Sequence, residues 1–343
     1  HWLDLVRYAD SNGYERDSDK PFAWRYRDYV IRSLNEDKPF AQFMREQIAG
    51  DSIASLPTEA QVGLGYYLIG PWDDEPTNPE QARYDQLDDF ASTTSQVFLG
   101  IDIGCARCHD HKQDPISQED YYSFAAIFAD VRRPVKQGRE MMMRLGNAEQ
   151  VEQSQTIMKR LDELQRSIVD LRWQLAKSLQ ASQKMEPISS PASSGTTTKG
   201  PTTGHESMES PGEITRKLVD LRRQATELER ELPALSPAYL PNFDGPLEPC
   251  HVLLRGEIDR KDKQVAPHLP THFRSLVPTH SSETFGRKEL AEWLCHPDHP
   301  LVARVIVNRV WQYHFGKGLV ATPNDFGLGG EGPTHPELLD WLA

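Results

Sequence analysis

The chain has 343 residues, 38% of them hydrophobic and 26% charged, with 25 prolines and 22 glycines. This length allows two domains, or one domain with a large insertion, and the many Pro and Gly residues disfavour a compact all-strand fold. A formal net charge of −13 disfavours a nucleic-acid partner. The longest apolar runs are far shorter than the roughly 20 residues needed to cross a bilayer, so we expect no membrane span.

The N-terminal part of the chain is helical in character. Apolar residues recur at three- and four-residue spacing, and turn-forming residues separate the segments. Helices are predicted over residues 24–34, 39–48, 80–99 and 117–129. In the last of these, Ser117 can cap the first turn, and Glu119 or Asp120 favours its positive end. Both ends of the chain read as interrupted helices, so we interpret it as an excised fragment.

Residues 149–235 differ in kind from their surroundings. Two apolar stripes with alternating four- and three-residue spacing run through charged neighbours, which is typical of coiled-coil seams. The stripes are Ile157, Leu161, Leu164, Ile168, Leu171, Leu175 and then Ile214, Leu218, Leu221, Ala225, Leu228, Leu232. Residues 182–212 between them are rich in Ser, Thr, Pro and Gly and are predicted to be disordered. We expect an antiparallel coiled-coil hairpin, a candidate surface for docking a protein.

The C-terminal part returns to a globular pattern. A strand is predicted over residues 248–255, with Gly256 beginning a turn. Helices are predicted over residues 287–294 and 301–315, the second ending at Gly316. The expected fold is mainly α with a minor β element.

The strongest motif is Cys105-Ala106-Arg107-Cys108-His109, between two predicted helices. Two thiols on one turn can add across the two vinyl groups of haem, and the His that follows then lies under the iron as its proximal ligand. The spacing therefore predicts one covalently attached haem c at Cys105 and Cys108, with His109 bound to the iron.

Two other interpretations of the motif stay open. Cys105, Cys108, His109 and His111 could supply most of a tetrahedral zinc site, although an adjacent Cys and His rarely bind one ion together. A redox dithiol or a purely structural role is the third possibility. Cys250 and Cys295 are expected to be free thiols.

Several residues are candidates for a supporting role around the haem. His111 is too close to His109 to reach the opposite face, so it would contact a propionate, meet a second cofactor or cap the loop that follows. A sixth ligand would be Met or His. The candidates are Met141, Met142 and Met143, and then His251, His314 and His335. A five-coordinate iron is the alternative.

Several stretches of the chain resemble the planctomycete cytochrome c-like family and the uncharacterised domain that usually follows it. They are residues 2–10, 23–31, 93–100 and 104–112 for the first domain, and Leu254-Arg255-Gly256 with residues 308–320 for the second. The resemblance implies a cytochrome c-like domain over residues 1–148 and a truncated C-terminal domain over 236–343, on either side of the hairpin insertion that the apolar stripes predict over 149–235. It also implies haem at Cys105 and Cys108, iron bound to His109, and a periplasmic or otherwise extracytoplasmic location.

Three functions are consistent with these features. The first is electron transfer with a redox partner protein. The second is a haem-dependent oxidase or dehydrogenase acting in polysaccharide breakdown, with a substrate cleft shaped by Arg309, Trp311, His314 and Asp325. The third is a non-enzymatic assembly protein that holds a structural metal at the Cys motif. Whether the chain is an enzyme is left open.

Overall fold

A computed structural model describes the chain over residues 1–14, 17–53, 58–73, 75–133, 142–145, 148–183, 210–232, 236–241, 243, 247–277 and 285–343. These residues form two compact units, one made of residues 1–145 and 237–343 and the other of residues 146–236. Most of the predicted disordered tip, and Met141, lie outside the described residues. The boundaries of the three predicted domains stay a prediction.

The described residues are mainly helical with little strand, which confirms the expected fold class. In chain order the α-helices are α1 (Trp2–Leu5), α2 (Trp24–Asn35), α3 (Phe40–Ala49), α4 (Pro79–Thr94), α5 (Gln118–Ala126), α6 (Ala148–Gln183), α7 (Pro211–Glu231), α8 (Arg287–Leu294), α9 (Val302–Phe315) and α10 (Pro336–Leu342). Shorter 3-10 helices lie at Thr58–Tyr67, Gly104–Arg107, Leu254–Gly256 and Phe273–Ser275. No helix among the described residues is long and apolar enough to cross a membrane.

The strands form two small sheets. β1 (Met142–Leu145) pairs with β2 (Ser236–Tyr239), and β3 (Cys250–Leu253) pairs antiparallel with β4 (Lys261–Val265). The β3–β4 register places Cys250 opposite Val265 and has an irregularity between His251 and Leu253. The predicted strand of residues 248–255 is therefore shorter than expected, because its last residues turn into the 3-10 helix Leu254–Gly256.

The helices on either side of the Cys motif begin and end where their capping residues predict. Asn78 accepts hydrogen bonds from the amides of the first turn of α4, and Pro79 occupies the first helical position. α4 continues as a π-helical turn from Ser95 to Leu99 and ends at Gly100, whose φ of 63° is left-handed. At the start of α5, Ser117 and Asp120 form a reciprocal capping box.

The core of the larger unit is rich in aromatic side chains. Those that are almost fully buried include Tyr66, Tyr67, Phe90, Phe98, Phe124 and Phe128. Two of them, Tyr66 and Tyr67, come from the 3-10 helix Thr58–Tyr67, which the sequence analysis did not predict. Aromatic pairs in edge-to-face contact, such as Tyr67 with Phe90, join this segment to α4.

A buried arginine joins α8 to the N-terminal part of the chain. Arg287 is 3% exposed, and its guanidinium contacts the carboxylates of Asp51 and Asp130, each at 2.7 Å. It also donates to the backbone oxygen of Ile48 at 3.0 Å. A charge with this little exposure is tolerated because it is paired and its donors are bonded.

The smaller unit consists of α6 and α7, which pack against each other along the predicted stripes. Ile157 and Leu161 of α6 and Ile214 and Leu218 of α7 are buried, whereas most charged neighbours are exposed. Ser210 caps α7 through a second capping box.

Candidate functional site

The Cys motif forms a single tight turn on the surface of the larger unit. The 3-10 helix Gly104–Arg107 buries Ala106 completely in the core and leaves the thiols of Cys105 and Cys108 exposed and unpaired. Side chains at positions i and i+3 of a 3-10 helix lie one above the other. The small buried Ala106 therefore anchors the turn, and the two sulfurs are presented on one side of it.

Contacts of Arg107 with α4 and α5 hold the turn in place. Its backbone oxygen accepts hydrogen bonds from the side chains of Gln118, at 2.8 Å, and Tyr122, at 3.0 Å, both in α5. Its guanidinium contacts two carboxylates of α4, Asp85 at 2.5 Å and Asp88 at 3.3 Å. The helices on both sides of the motif, α4 and α5, thus both bind Arg107, which precedes Cys108.

His109 is exposed beside the turn, and its ring is oriented by one hydrogen bond. Its Nδ1 lies 2.7 Å from the backbone oxygen of Asp110. Because a carbonyl oxygen can only accept, this contact assigns the proton to Nδ1 and leaves the lone pair on Nε2. An imidazole whose Nδ1–H is bound in this way is prepared to bind a metal through Nε2.

His111 stabilises the loop that follows the motif. Its Nδ1 accepts a hydrogen bond from the backbone N–H of Asp114 at 2.8 Å. The backbone N–H of His111 donates to the backbone oxygen of Ile116, also at 2.8 Å. The Asp114 carboxylate in turn accepts the N–H of Leu328, from the C-terminal part of the chain, at 2.7 Å. Of the roles considered for His111, the geometry corresponds to capping of this loop.

One part of the site was not found by sequence reasoning. The 3-10 turn Leu254–Gly256 lies against the motif, and Gln118 joins the two by donating to the backbone oxygens of Arg107 and Leu253, both at 2.8 Å. Gly256 has a φ of +74°, and a Cβ placed on it would lie 2.8 Å from the sulfur of Cys108. Both features favour glycine at this position. The only signal in the sequence was the resemblance carried by Leu254-Arg255-Gly256.

The candidates for a sixth ligand stay predictions. Met141 lies outside the described residues, and Met142 and Met143 belong to β1, where only the backbone is described. The three histidines are spread over the unit: His251 in β3, His314 in the last turn of α9, and His335 before α10.

Two further expectations concern metal and substrate. Among the described residues, no group of three or more His, Cys, Asp or Glu side chains is arranged to hold a metal ion. Arg309 is 2% exposed and donates to the backbone oxygens of Val97 and Gln96 in the π-helical turn. Its guanidinium therefore holds α9 against that turn, which corrects the expectation that it shapes a substrate cleft.

Cys250 and Cys295 are unpaired. The Cys250 thiol is buried 3.7 Å from the backbone oxygen of Tyr122, and that of Cys295 lies 3.2 Å from the backbone oxygen of Ala41. Burial raises the pKa of the Cys250 thiol to about 12 and that of the Cys295 thiol to about 11. Both are poor nucleophiles at neutral pH, unlike an activated thiolate.

Comparison with known proteins identifies two domains of unknown function. Residues 1–133 match the family PSCyt2, described as a protein of unknown function (DUF1549), and residues 286–343 match PSD1, also described as a protein of unknown function (DUF1553). The first match contains the Cys motif, and the second contains α8 to α10. No curated protein and no solved structure matches the chain.

Proposed function

We propose that this chain is an extracytoplasmic c-type haem protein that works in electron transfer with a redox partner protein. The observation that supports it best is the arrangement of three side chains on one turn. Cys105 and Cys108 present unpaired thiols on one side of the turn, and His109 stands next to them with its Nε2 lone pair available. This donor set fits the attachment of a haem through two thioether bonds and one axial imidazole.

The surroundings of the turn also fit a bound haem. Gly256 brings only its backbone against Cys108, so the sulfur is not crowded by a side chain. Leu254, in the same turn, is 40% exposed, and Leu328, whose amide is bound to Asp114, is 76% exposed. Exposed leucines on two segments in contact with the motif and its loop provide apolar surface that a porphyrin would cover.

Each residue of the site has a separate task in this proposal. A bound haem supplies a one-electron iron couple. Cys105 and Cys108 fix its position, and the Nδ1–H bond of His109 to the Asp110 carbonyl sets the ring orientation and raises the basicity of Nε2. Arg107 keeps the turn in place through its ion pairs with Asp85 and Asp88.

The surface position of the motif favours electron exchange with another protein. The two thiols and His109 are all exposed, so a haem held there has an edge accessible to a partner. A net charge of −13 favours a partner with a basic docking surface, since complementary charge accelerates association.

A matched pair of histidine variants tests the proposal. The protein is produced with an added export signal in cells that mature c-type haem, and its reduced-minus-oxidised spectrum is compared with those of His109→Ala and His111→Ala. We expect His109→Ala to change the haem spectrum, because the iron loses its axial imidazole, and His111→Ala to retain the wild-type spectrum, because His111 is engaged in the loop. A wild-type protein without a haem spectrum, or equal effects of both substitutions, would contradict the assigned roles.

A further inference from the structure

A cleft of about 370 Å³ lies beside α4 in the larger unit. Its lining includes Tyr14, Trp72 and Thr77, together with Gln81, Asp85 and Asp89 of α4. The volume falls in the range of small-molecule sites, which runs from about 300 to about 1,000 Å³. The cleft takes no part in the proposed attachment of haem.

Two of the three carboxylates that line the cleft, those of Asp85 and Asp89, are paired with arginines, whereas Asp73 is in none of the described ion pairs. Asp85 is paired with Arg107 through its Oδ1, and the Oδ2 of Asp89 contacts both Arg7 and Arg133. These guanidinium groups hold the pKa of Asp89 below its usual range despite its burial, so it is ionised at neutral pH. One uncompensated carboxylate, that of Asp73, is left in the lining, and the lining cation Arg133 is engaged with Asp89.

What the cleft does offer is hydrogen-bonding capacity beside aromatic surface. The described ion pairs use one oxygen of each carboxylate, so the second oxygen of Asp85 and of Asp89 can accept from a hydroxyl group. Gln86 adds an amide to the lining.

Tyr14 supplies the accessible aromatic surface of the cleft. Its side chain is 51% exposed, whereas Trp72, which also lines the cleft, is 4% exposed and contributes little accessible surface.

We propose that this cleft binds a neutral, polyhydroxylated small molecule. Ion-paired carboxylates with a second oxygen free, amides and the exposed Tyr14 ring suit hydroxyl groups, and the arginine partners offset most of the negative charge that would attract a cation. Asp85 both lines the cleft and pairs with Arg107, so a ligand bound to Asp85 would contact the partner of the residue that lies between the two cysteines. The proposal rests on the side chains of the chain itself and does not depend on haem attachment.

Binding is measured by saturation-transfer difference NMR on the intact protein, with myo-inositol and D-glucose as neutral probes, D-glucosamine as the cationic probe and D-glucuronate as the anionic one. We expect saturation transfer to the neutral probes. Asp85→Asn should weaken their binding about tenfold, as for the loss of a charge-assisted hydrogen bond. Asp88→Asn is the matched control, because Asp88 also pairs with Arg107 but does not line the cleft.

A second variant separates loss of binding from loss of fold. Ala82→Phe places a large side chain in the cleft from α4 and should abolish binding with an unchanged circular dichroism spectrum. The proposal is overturned if only a charged probe binds, if no probe binds, or if Asp85→Asn and Asp88→Asn weaken binding equally. A haem-free protein that still binds the neutral probes would refute the proposed electron transfer and leave the cleft assignment intact.

Discussion

The contact between Gly256 and Cys108 can be tested by adding one methyl group. In Gly256→Ala the new Cβ would lie 2.8 Å from the Cys108 sulfur, and the residue would keep a φ of +74°. Gly316→Ala is the matched control: Gly316 has a φ of +83°, but nothing lies within 4 Å of its added Cβ. The two substitutions therefore share the backbone strain, and only the first adds a steric conflict with the site.

The expected cost follows from these two terms. An L-residue in the left-handed region costs about 1 kcal/mol, which both variants should show. In Gly256→Ala the exposed Cys108 thiol must also leave its rotamer, which adds about 1 kcal/mol. We expect the free energy of unfolding to fall by about 1 kcal/mol for Gly316→Ala and about 2 kcal/mol for Gly256→Ala.

Urea unfolding of the reduced, haem-free protein measures the two losses, and alkylation followed by mass spectrometry reports on each thiol separately. In Gly256→Ala the displaced Cys108 should be alkylated faster, while Cys105 reacts at the wild-type rate. In Gly316→Ala both rates should be unchanged. Equal unfolding free energies for the two variants, together with an unaltered rate at Cys108, would show that the turn does not lie against the motif.

Three further predictions concern stability and organisation. Arg287→Met should lower the free energy of unfolding, measured in urea, by about 3 kcal/mol, because two carboxylates lose their buried partner. The control Arg260→Met removes an exposed ion pair and should leave the midpoint of urea unfolding unchanged. Similar midpoints for the two variants would refute the prediction. Burial lowers the pKa of His299 from 6.5 to about 4. As the pH falls, the His299 imidazole is protonated in the unfolded chain before it is protonated in the folded one. The free energy of unfolding is therefore highest above pH 6.5 and falls by up to about 3 kcal/mol as the pH drops towards 4. His299→Gln should lack this pH dependence in urea unfolding. Replacing residues 153–232 by a short Gly/Ser link should leave the larger unit soluble with the same haem spectrum, and insoluble protein would show that the hairpin is needed for folding.

The local parts of the fold could be predicted because their signals are local. The capping residues Asn78 and Ser117, the apolar stripes of α6 and α7 and the stop at Gly316 all act within a few residues of the helix end or face they define. The sequence thus located the turn of Cys105 to His109 between two helices. It missed the 3-10 helix Thr58–Tyr67, whose Gly and Tyr residues show no clear period but pack into the core.

The contacts that complete the site could not be predicted, because they join residues that are distant in the chain. Nothing in the local pattern indicates that Gly256 lies against Cys108, or that Leu328 is bound to Asp114. Arg309 was assigned to a substrate cleft for the same reason: its type and its aromatic neighbours suit ligand binding. Only the folded chain shows that both terminal nitrogens of its guanidinium donate to backbone oxygens of the π-helical segment.

The central claim is covalent attachment of haem at Cys105 and Cys108, and intact mass under denaturing conditions tests it most directly. Protein exported from cells that mature c-type haem should have the mass of the chain plus one haem, and the Cys105→Ala, Cys108→Ala double variant should have the mass of the chain alone. A wild-type protein with the mass of the unmodified chain, colourless after the same maturation, would contradict the account.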